Sequence, residues 1–520
     1  MANGGWYTEG YQNFGDGIHR EYAMDDPDFP RAGVWDALNM VYNVDSDNLE
    51  KMGGLLQLGQ AIAGSPTITG LFDYQSGTAT VAMCSNGNGY VRTTGNWSAI
   101  SGASGFSTAT TTRWSGCMFY GASSGKSLLV LCNGIDAPQV YDGSTMAPLG
   151  GGAPSTGNYP VPFMGRLWMF TGDTAYYSLA DDCQDFTSAG SGNIQIFHGM
   201  GGNITGAYPF TESLIIFKSD KTFRIASMMD ISDISVTIVS NIVGTLSHQT
   251  ISEGGPEGGG WLLFMSDYGF EVLTPTDLSS GQFKSRTIST PVAKLLEQRN
   301  LQYITKSWGC FNTSRKEYYG FYPLGNTTTP AAALIANVAR SKSNIRWTRT
   351  DLNNFTAGCM VRTSGQGMIQ IIGDNAGRIY QMHYGHSRSG ASYRGTILTK
   401  AYTQGSPGAM KHYNRMLVSC ETNGTYNVNM TPILGRFGLP RVPSNPRQAV
   451  SNDSNDGWAV GLWGEAYWGG SAISGKWVRP AKAARGTYCR VKIETSGSDQ
   501  WFRLTGLQIE SALASNAVRA

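Results

Sequence analysis

Residues 78–93 read TATVAMCSNGNGYVRT, and their reading decides the fold. An apolar, β-favouring run ends in Asn86-Gly87-Asn88-Gly89, residues that accept the positive φ of a tight hairpin turn. The chain then re-enters a second strand through Tyr90 and Val91. The same phrase recurs along the chain. Short β-rich runs centre on Val81, Val130, Trp168, Ile215, Leu263, Tyr319 and Ile371. Most lead through a turn into a strand bearing an aromatic or β-branched residue, as in CNGIDAPQVYDG, FKSDKTFRIA, MSDYGFEVL and IGDNAGRIYQM. One hairpin in every unit of about 45 residues is the pattern of a β-propeller blade. The spacing predicts an all-β chain, a degenerate β-propeller of six or seven blades.

Composition agrees. The chain has 520 residues, of which 67 are glycine and only 15% are charged. Such a chain favours many short strands and tight turns. Net charge is +2, from 39 basic and 37 acidic residues that are well mixed, so no basic block marks a general nucleic-acid binder. The eight cysteines are far apart and form no C-x-x-C pair. Several sit in apolar runs, which predicts free buried thiols and synthesis in a reducing compartment. The opening MANGGWYTEGYQNFGDG lacks a basic region and an apolar core, so no secretory signal is expected, and no apolar run is long enough to span a membrane.

Three regions follow. Residues 1–55 read as an irregular N-terminal arm, 56–390 as the propeller, and 391–520 as a C-terminal β-sandwich with a Trp-rich insert. Sandwich strands are expected in TYNVNM, YCRVKIET and QWFRLTGLQI. The insert carries Trp458, Trp463, Trp468 and Trp477, which must pack against the sandwich or a neighbouring subunit. A helix is expected at 290–300, with Thr290 as N-cap, Pro291 in the first turn and Val292, Leu295 and Leu296 on one face. Short helices are also expected at 34–42 and 510–518.

Several stretches mimic chemistry. Gly121-Ala-Ser-Ser-Gly125-Lys126-Ser127 approaches a phosphate loop, but it is one residue short of G-x-x-x-x-G-K-[ST] and runs into the strand Leu128–Cys132. Without a helix N-terminus its electrostatic basis is gone, and a hairpin turn is expected. Ser451–Trp458 nearly matches the Asp-box of sialidases, with Asn455 in place of its glycine; a loop turn is expected. His383 and His386 lie in a turn with no third ligand evident, and His19, His198, His248 and His412 are scattered. The acidic clusters Asp25-Asp26-Pro27-Asp28 and Asp45-Ser46-Asp47-Asn48 lack calcium-loop spacing and read as turn caps or a subunit contact. No residue is therefore assigned a catalytic, cofactor-binding or metal-binding role, no cofactor is expected, and the chain is expected not to be an enzyme.

The order of phrases resembles a known family. Arg31-Ala-Gly-Val-Trp-Asp-Ala-Leu-Asn39-Met-Val-Tyr-Asn43, followed by Lys51-Met-Gly-Gly54, is similar to the opening of phage tail proteins that lead into a propeller. Phe163-Met-Gly165-Arg166-Leu-Trp168 with Tyr176-Tyr177-Ser178, Asp181 and Asp185-Phe186 resembles their next phrase, although Met164 replaces the usual Asn. Ile204-Thr-Gly206, Leu214–Lys218 and Phe223-Arg-Ile225 resemble a blade of the same proteins, and Gly269-Phe270 a later one. Tyr413-Asn-Arg415 with Met416-Leu-Val418 resembles the strand opening their terminal sandwich. The family is the tail hub or nozzle proteins of short-tailed bacteriophages. The resemblance implies a structural subunit of a virion tail, made in the host cytoplasm and closing into a ring, usually a hexamer, that prolongs the portal–adaptor channel. It implies portal or adaptor rings, tail fibres or internal ejection proteins as partners, and DNA passing without sequence specificity. Low charge density of mixed sign suits a wall along which DNA slides. The alternative is a carbohydrate-binding or glycoside-cleaving propeller attached to a tail; paired carboxylates in a central pocket would favour it.

Overall fold

The computed structural model describes residues 6–12, 14–43, 46, 48–226, 231–277, 282–339, 345–363, 365, 367–423, 426, 428–435, 442–443, 447–450, 474–480 and 485–514. The chain is all-β, a propeller joined to a sandwich. Seven four-stranded blades are formed among these residues, with strands in the ranges 68–99, 115–148, 158–195, 204–240, 252–287, 308–350 and 355–382. The last range supplies only three strands. Its fourth is Leu55–Gln57, paired antiparallel with Ile379–Met382, so the chain closes the ring by bringing an early strand to the final blade.

Each of the seven apolar runs read from sequence is the second strand of its blade: Ala79–Cys84, Lys126–Cys132, Arg166–Thr171, Ser213–Lys218, Trp261–Ser266, Glu317–Pro323 and Gly367–Asp374. The reason is geometric. Side chains on a strand alternate between its two faces, and a strand flanked by blades on both sides must be apolar on both. In blade 1, Val81 and Met83 pack toward blade 2 with Leu129 and Leu131, whereas Ala82 and Cys84 pack toward blade 7 with Ile371 and Ile379. Seven such layers lie between blades. The layer between blades 5 and 6 continues out of the propeller, into the core of the sandwich.

Glycines on the inner strands let the blades approach. A Cβ on Gly116 would lie 3.1 Å from Phe72 Cδ1 of blade 1, and 2.7 Å from Leu131 Cδ2 of its own blade; one on Gly70 would lie 2.8 Å from the Trp114 Cβ of blade 2.

The sandwich is welded to blade 6. The outer strand of that blade, Arg346–Thr350, lies beside Gly33–Leu38, which pairs in turn with Gly395–Thr399, Tyr488–Thr495 and Val428–Gly435. A second sheet is built on Lys411–Thr422 and Phe502–Leu513, flanked by Tyr7–Gln12, Met40–Tyr42, Leu49–Lys51 and Ser474–Val478. Met416, Val418, Leu507 and Ile509 of this sheet face Ile397, Met430, Val491 and Ile493 of the first.

Three local expectations need correction. Residues 34–42, expected as a helix, are two strands broken at Asn39, whose φ of 53° turns the chain between them. Residues 510–513 end a long strand instead of starting a helix; the rest of 510–518 lies outside the described residues except Ala514. Residues 290–300 hold a 3-10 turn at Thr290–Val292 and one α-turn at Ala293–Leu296. Ser289, not Thr290, precedes that first turn, while Val292 and Leu296 are buried as the pattern required. The segment read as an arm carries short strands that contribute to both sandwich sheets and to blade 7.

Candidate functional site

Two places concentrate chemistry. The first is the centre of the propeller, a cavity of about 320 Å³ lined by the inner strands of blades 1, 2, 6 and 7 and by His248, Gln249 and Ile251. The last three belong to the connection between blades 4 and 5, which crosses the ring. Ser247 Oγ donates to the Ser307 carbonyl (2.8 Å), Gln249 Nε2 to the Trp114 carbonyl (3.5 Å), and Thr250 accepts from Tyr318 Oη (2.7 Å). The His248 ring lies 4.7 Å from that of Tyr159. Burial pushes the His248 imidazole down to about 4, so it is neutral at ordinary pH.

The cavity is poor in acid–base machinery. Its one lining carboxylate among the described residues, Asp73, accepts from the backbone N–H groups of Gly77 (2.8 Å) and Arg362 (3.4 Å), which ties it to its own hairpin and to the inner strand of blade 7. Burial raises its pKa. Cys117 and Cys359 also line it, and burial raises both thiols, which removes the thiolate that reactivity needs.

The second place is the propeller–sandwich junction, where charges from distant parts of the sequence are buried together. Glu317 of blade 6 has a fully buried side chain and accepts from Arg315 Nε (3.0 Å), Tyr319 Oη (2.7 Å) and Asn337 Nδ2 (3.3 Å). Arg315 also reaches Glu50 (3.5 Å), and Glu50 pairs with Arg503 (3.1 Å), which holds Glu421 (2.9 Å). Burial opposes the Arg315 charge, but Glu317, Tyr319 and Glu50 hold its pKa above the ordinary value. His383 Nε2 meets Tyr319 Oη at 2.8 Å, and burial, then Arg315, pushes this imidazole well below its usual range. A few residues away, Asn39 Oδ1 accepts from Thr350 Oγ1 (2.8 Å), the Asp351 N–H (3.1 Å) and Arg388 (3.1 Å), while its Nδ2 donates to the Arg394 carbonyl (2.6 Å). Lys51 is buried over the Tyr393 ring at 4.2 Å. The chemistry here is adhesive: the chain of ion pairs Glu317–Arg315–Glu50–Arg503–Glu421 runs from blade 6 through an N-terminal strand into the sandwich.

The sequence candidates fall elsewhere. The phosphate-loop mimic is the hairpin joining the first two strands of blade 2, with Gly121 opposite Lys126. Ser123 Oγ bonds Asp182 (2.6 Å), and Lys126 pairs on the surface with Asp142 (2.9 Å). His383 belongs to the junction network, whereas His386 packs near Trp501, ring centroids 6.1 Å apart. His19 bonds Glu21 (2.9 Å) and His198 bonds Asp173 (2.5 Å). Asp26 caps its own turn through the Asp28 N–H (2.9 Å). All eight cysteines are free, six of them buried. The near Asp-box, Asp45, Asp47 and the insert tryptophans up to Trp468 lie outside the described residues; Trp477 stacks under Arg415 at 4.4 Å. Sequence reasoning missed the junction cluster, because Glu50, Arg315, Glu421 and Arg503 share no local motif.

No family model and no curated protein sequence matches the chain. Solved structures do. One of U3-55K is similar at 9% identity over 63% of this chain and 98% of that one, with a TM-score of 0.40. The RRP9 WD40 repeats are similar at 9% identity over 64% and 99%, with a TM-score of 0.42. A chain of the mitotic checkpoint complex is similar at 11% identity over 69% and 95%, with a TM-score of 0.37. At these identities the likeness is one of fold. Among the described residues no helix is long and apolar enough to cross a membrane.

Proposed function

We propose that the chain is a structural subunit of a phage tail nozzle or hub, a ring that prolongs the portal–adaptor channel and guides DNA during ejection without catalysing a reaction. The observation that carries the reading is the junction. Strands from residues 7–57 run through both sandwich sheets and into the propeller ring, so the two parts form a single stiff block with two dissimilar ends. Head-to-tail ring closure uses two different faces of one subunit, and a stiff block holds them at a fixed angle. The order of the tail-protein phrases supports the same reading. The carbohydrate alternative calls for two carboxylates about 5–10 Å apart; the described cavity lining carries Asp73 alone.

The test is mass and symmetry by light scattering and negative-stain imaging, for the chain alone and mixed with adaptor-bound portal. A six-fold ring forming on the portal complex is the expected result. A chain that never assembles, but cleaves or retains glycans, overturns the proposal.

A further inference from the structure

A second cavity, of about 430 Å³, lies where blade 7 meets the connection arriving from blade 6, and it shares no residue with the central one. Its size falls within the range of small-molecule sites, about 300–1,000 Å³. Part of its lining is apolar and buried: Leu55, Leu352, Phe355 and Tyr380, the two rings packed edge to face at 5.8 Å. The rest is polar. Two ion pairs stand there, Asp351 with Arg388 (2.6 Å) and Asp374 with Arg378 (2.9 Å), together with Asn353, Asn354 and Asn375.

Much of this polar lining is held in place by the protein itself. Asp374 Oδ1 accepts from the N–H groups of Ala376 (2.8 Å) and Arg378 (2.9 Å) in its own turn. Asn354, at a φ of 62°, donates its N–H to the Pro330 carbonyl (2.8 Å) and accepts at its own carbonyl from the Asn375 N–H (3.0 Å). Its Oδ1 accepts from Thr329 Oγ1 (3.0 Å). Asn353 and Asn375, by contrast, are exposed, and their side-chain amides make no hydrogen bond among the described residues. The buried Arg388 Nε also lacks a partner among them.

The chemistry of the lining selects an occupant. Two guanidiniums are matched by two carboxylates, so no surplus positive charge is left to draw a phosphate. An alkyl chain would leave the amides and carboxylates unpaired. A neutral molecule rich in hydroxyls meets both conditions, because each hydroxyl donates and accepts, as the amides do, while carboxylates accept and guanidiniums donate. We propose that this pocket binds a neutral saccharide unit, its hydroxyls received by Asn353, Asn375 and the two ion pairs and its C–H face resting on Phe355 and Tyr380. Each carboxylate is held against a guanidinium, which suits it to accept from a hydroxyl and not to deliver the proton that glycoside cleavage needs. The pocket therefore binds without cleaving, and it neither requires nor excludes assembly of the chain into a ring.

The experiment is calorimetric titration of the full chain with lactose, maltose, cellobiose and N,N′-diacetylchitobiose, each taken well into the millimolar range, and with inorganic phosphate. Saturable binding of at least one disaccharide is expected, with the sugar recovered intact by chromatography. Asn353→Ala and Asn375→Ala should each weaken that binding about fivefold, the loss of one neutral hydrogen bond. Lys126→Gln, whose partner Asp142 lies on blade 2, should leave it unchanged. Both asparagines are exposed, so their variants should melt with the parent, and the melting temperature verifies that they fold. No saturable heat from any disaccharide, binding that both variants retain in full, binding of phosphate alone, or recovery of hydrolysed sugar overturns the proposal.

Discussion

Replacing Arg315 by methionine separates a weld from an ornament. The substitution keeps the aliphatic stem and removes the guanidinium that holds Glu317 at 3.0 Å and Glu50 at 3.5 Å. Glu50 retains Arg503, so its loss is partial. Glu317 has a fully buried side chain and retains the donors Tyr319 and Asn337, with the Arg346 guanidinium close enough to feel its charge. Breaking a buried pair by removing one partner costs about 3–5 kcal/mol, and the surviving donors place this case near the lower end, about 3 kcal/mol. At about 2.1 cal/mol/K per residue, unfolding 520 residues as one unit carries an entropy of roughly 1.1 kcal/mol/K, so the melting temperature should fall by about 3 °C. Scanning calorimetry measures the shift. The double variant Arg315→Met/Glu317→Gln, which leaves no stranded charge, should recover at least half of the loss. Arg315→Met melting with the parent, or a double variant as unstable as the sum of its singles, would refute the argument.

Three further outcomes follow from the same structure. Gly116→Ala drives a methyl into Leu131 and the Val130 carbonyl oxygen and should cost about 1–3 kcal/mol in chemical denaturation, whereas Gly408→Ala, with open space around it, should cost little. Burial, with Arg388 beside it, lowers the Lys51 ammonium to about 8. Because the unfolded lysine holds its proton up to about 10.4, this group makes stability rise with pH between those values, and Lys51→Met should flatten the rise in melting scans across that window. Deleting residues 1–57 should leave no soluble propeller, because blade 7 loses its fourth strand and blade 6 its link to the sandwich; recovery of a folded, monodisperse fragment would contradict this.

The propeller was legible because burial on two faces writes itself into consecutive residues. Runs such as Leu128–Cys132 and Leu214–Phe217 are apolar without alternation. The N-terminal strands were not legible in the same way. Val34, Ala37, Leu38 and Val41 fall at helical spacing, and only the positive φ at Asn39 turns that spacing into two strands. The closing strand, Leu55–Gln57, is three residues long and carries no signal of its own. The junction cluster could not be read from a motif, since Glu50 and Arg503 meet only after folding. The turn that imitates a phosphate loop shows the converse: residue types alone suggest an anion site, and the missing helix decides against it.

The way the ring closes also sets a timetable. Gly33–Leu38 and Leu55–Gln57 leave the ribosome well before 308–399, yet the blade and sandwich strands that they join lie in that later stretch. During synthesis these two early strands must wait without those partners while blades 1 to 5 accumulate beside them. Contacts that span more than 300 positions are slow to form and expose strand edges meanwhile. The most vulnerable moment in this protein's life is therefore the interval between the birth of its first strands and the arrival of blade 7, and a chaperone or slow translation near residue 300 would act there.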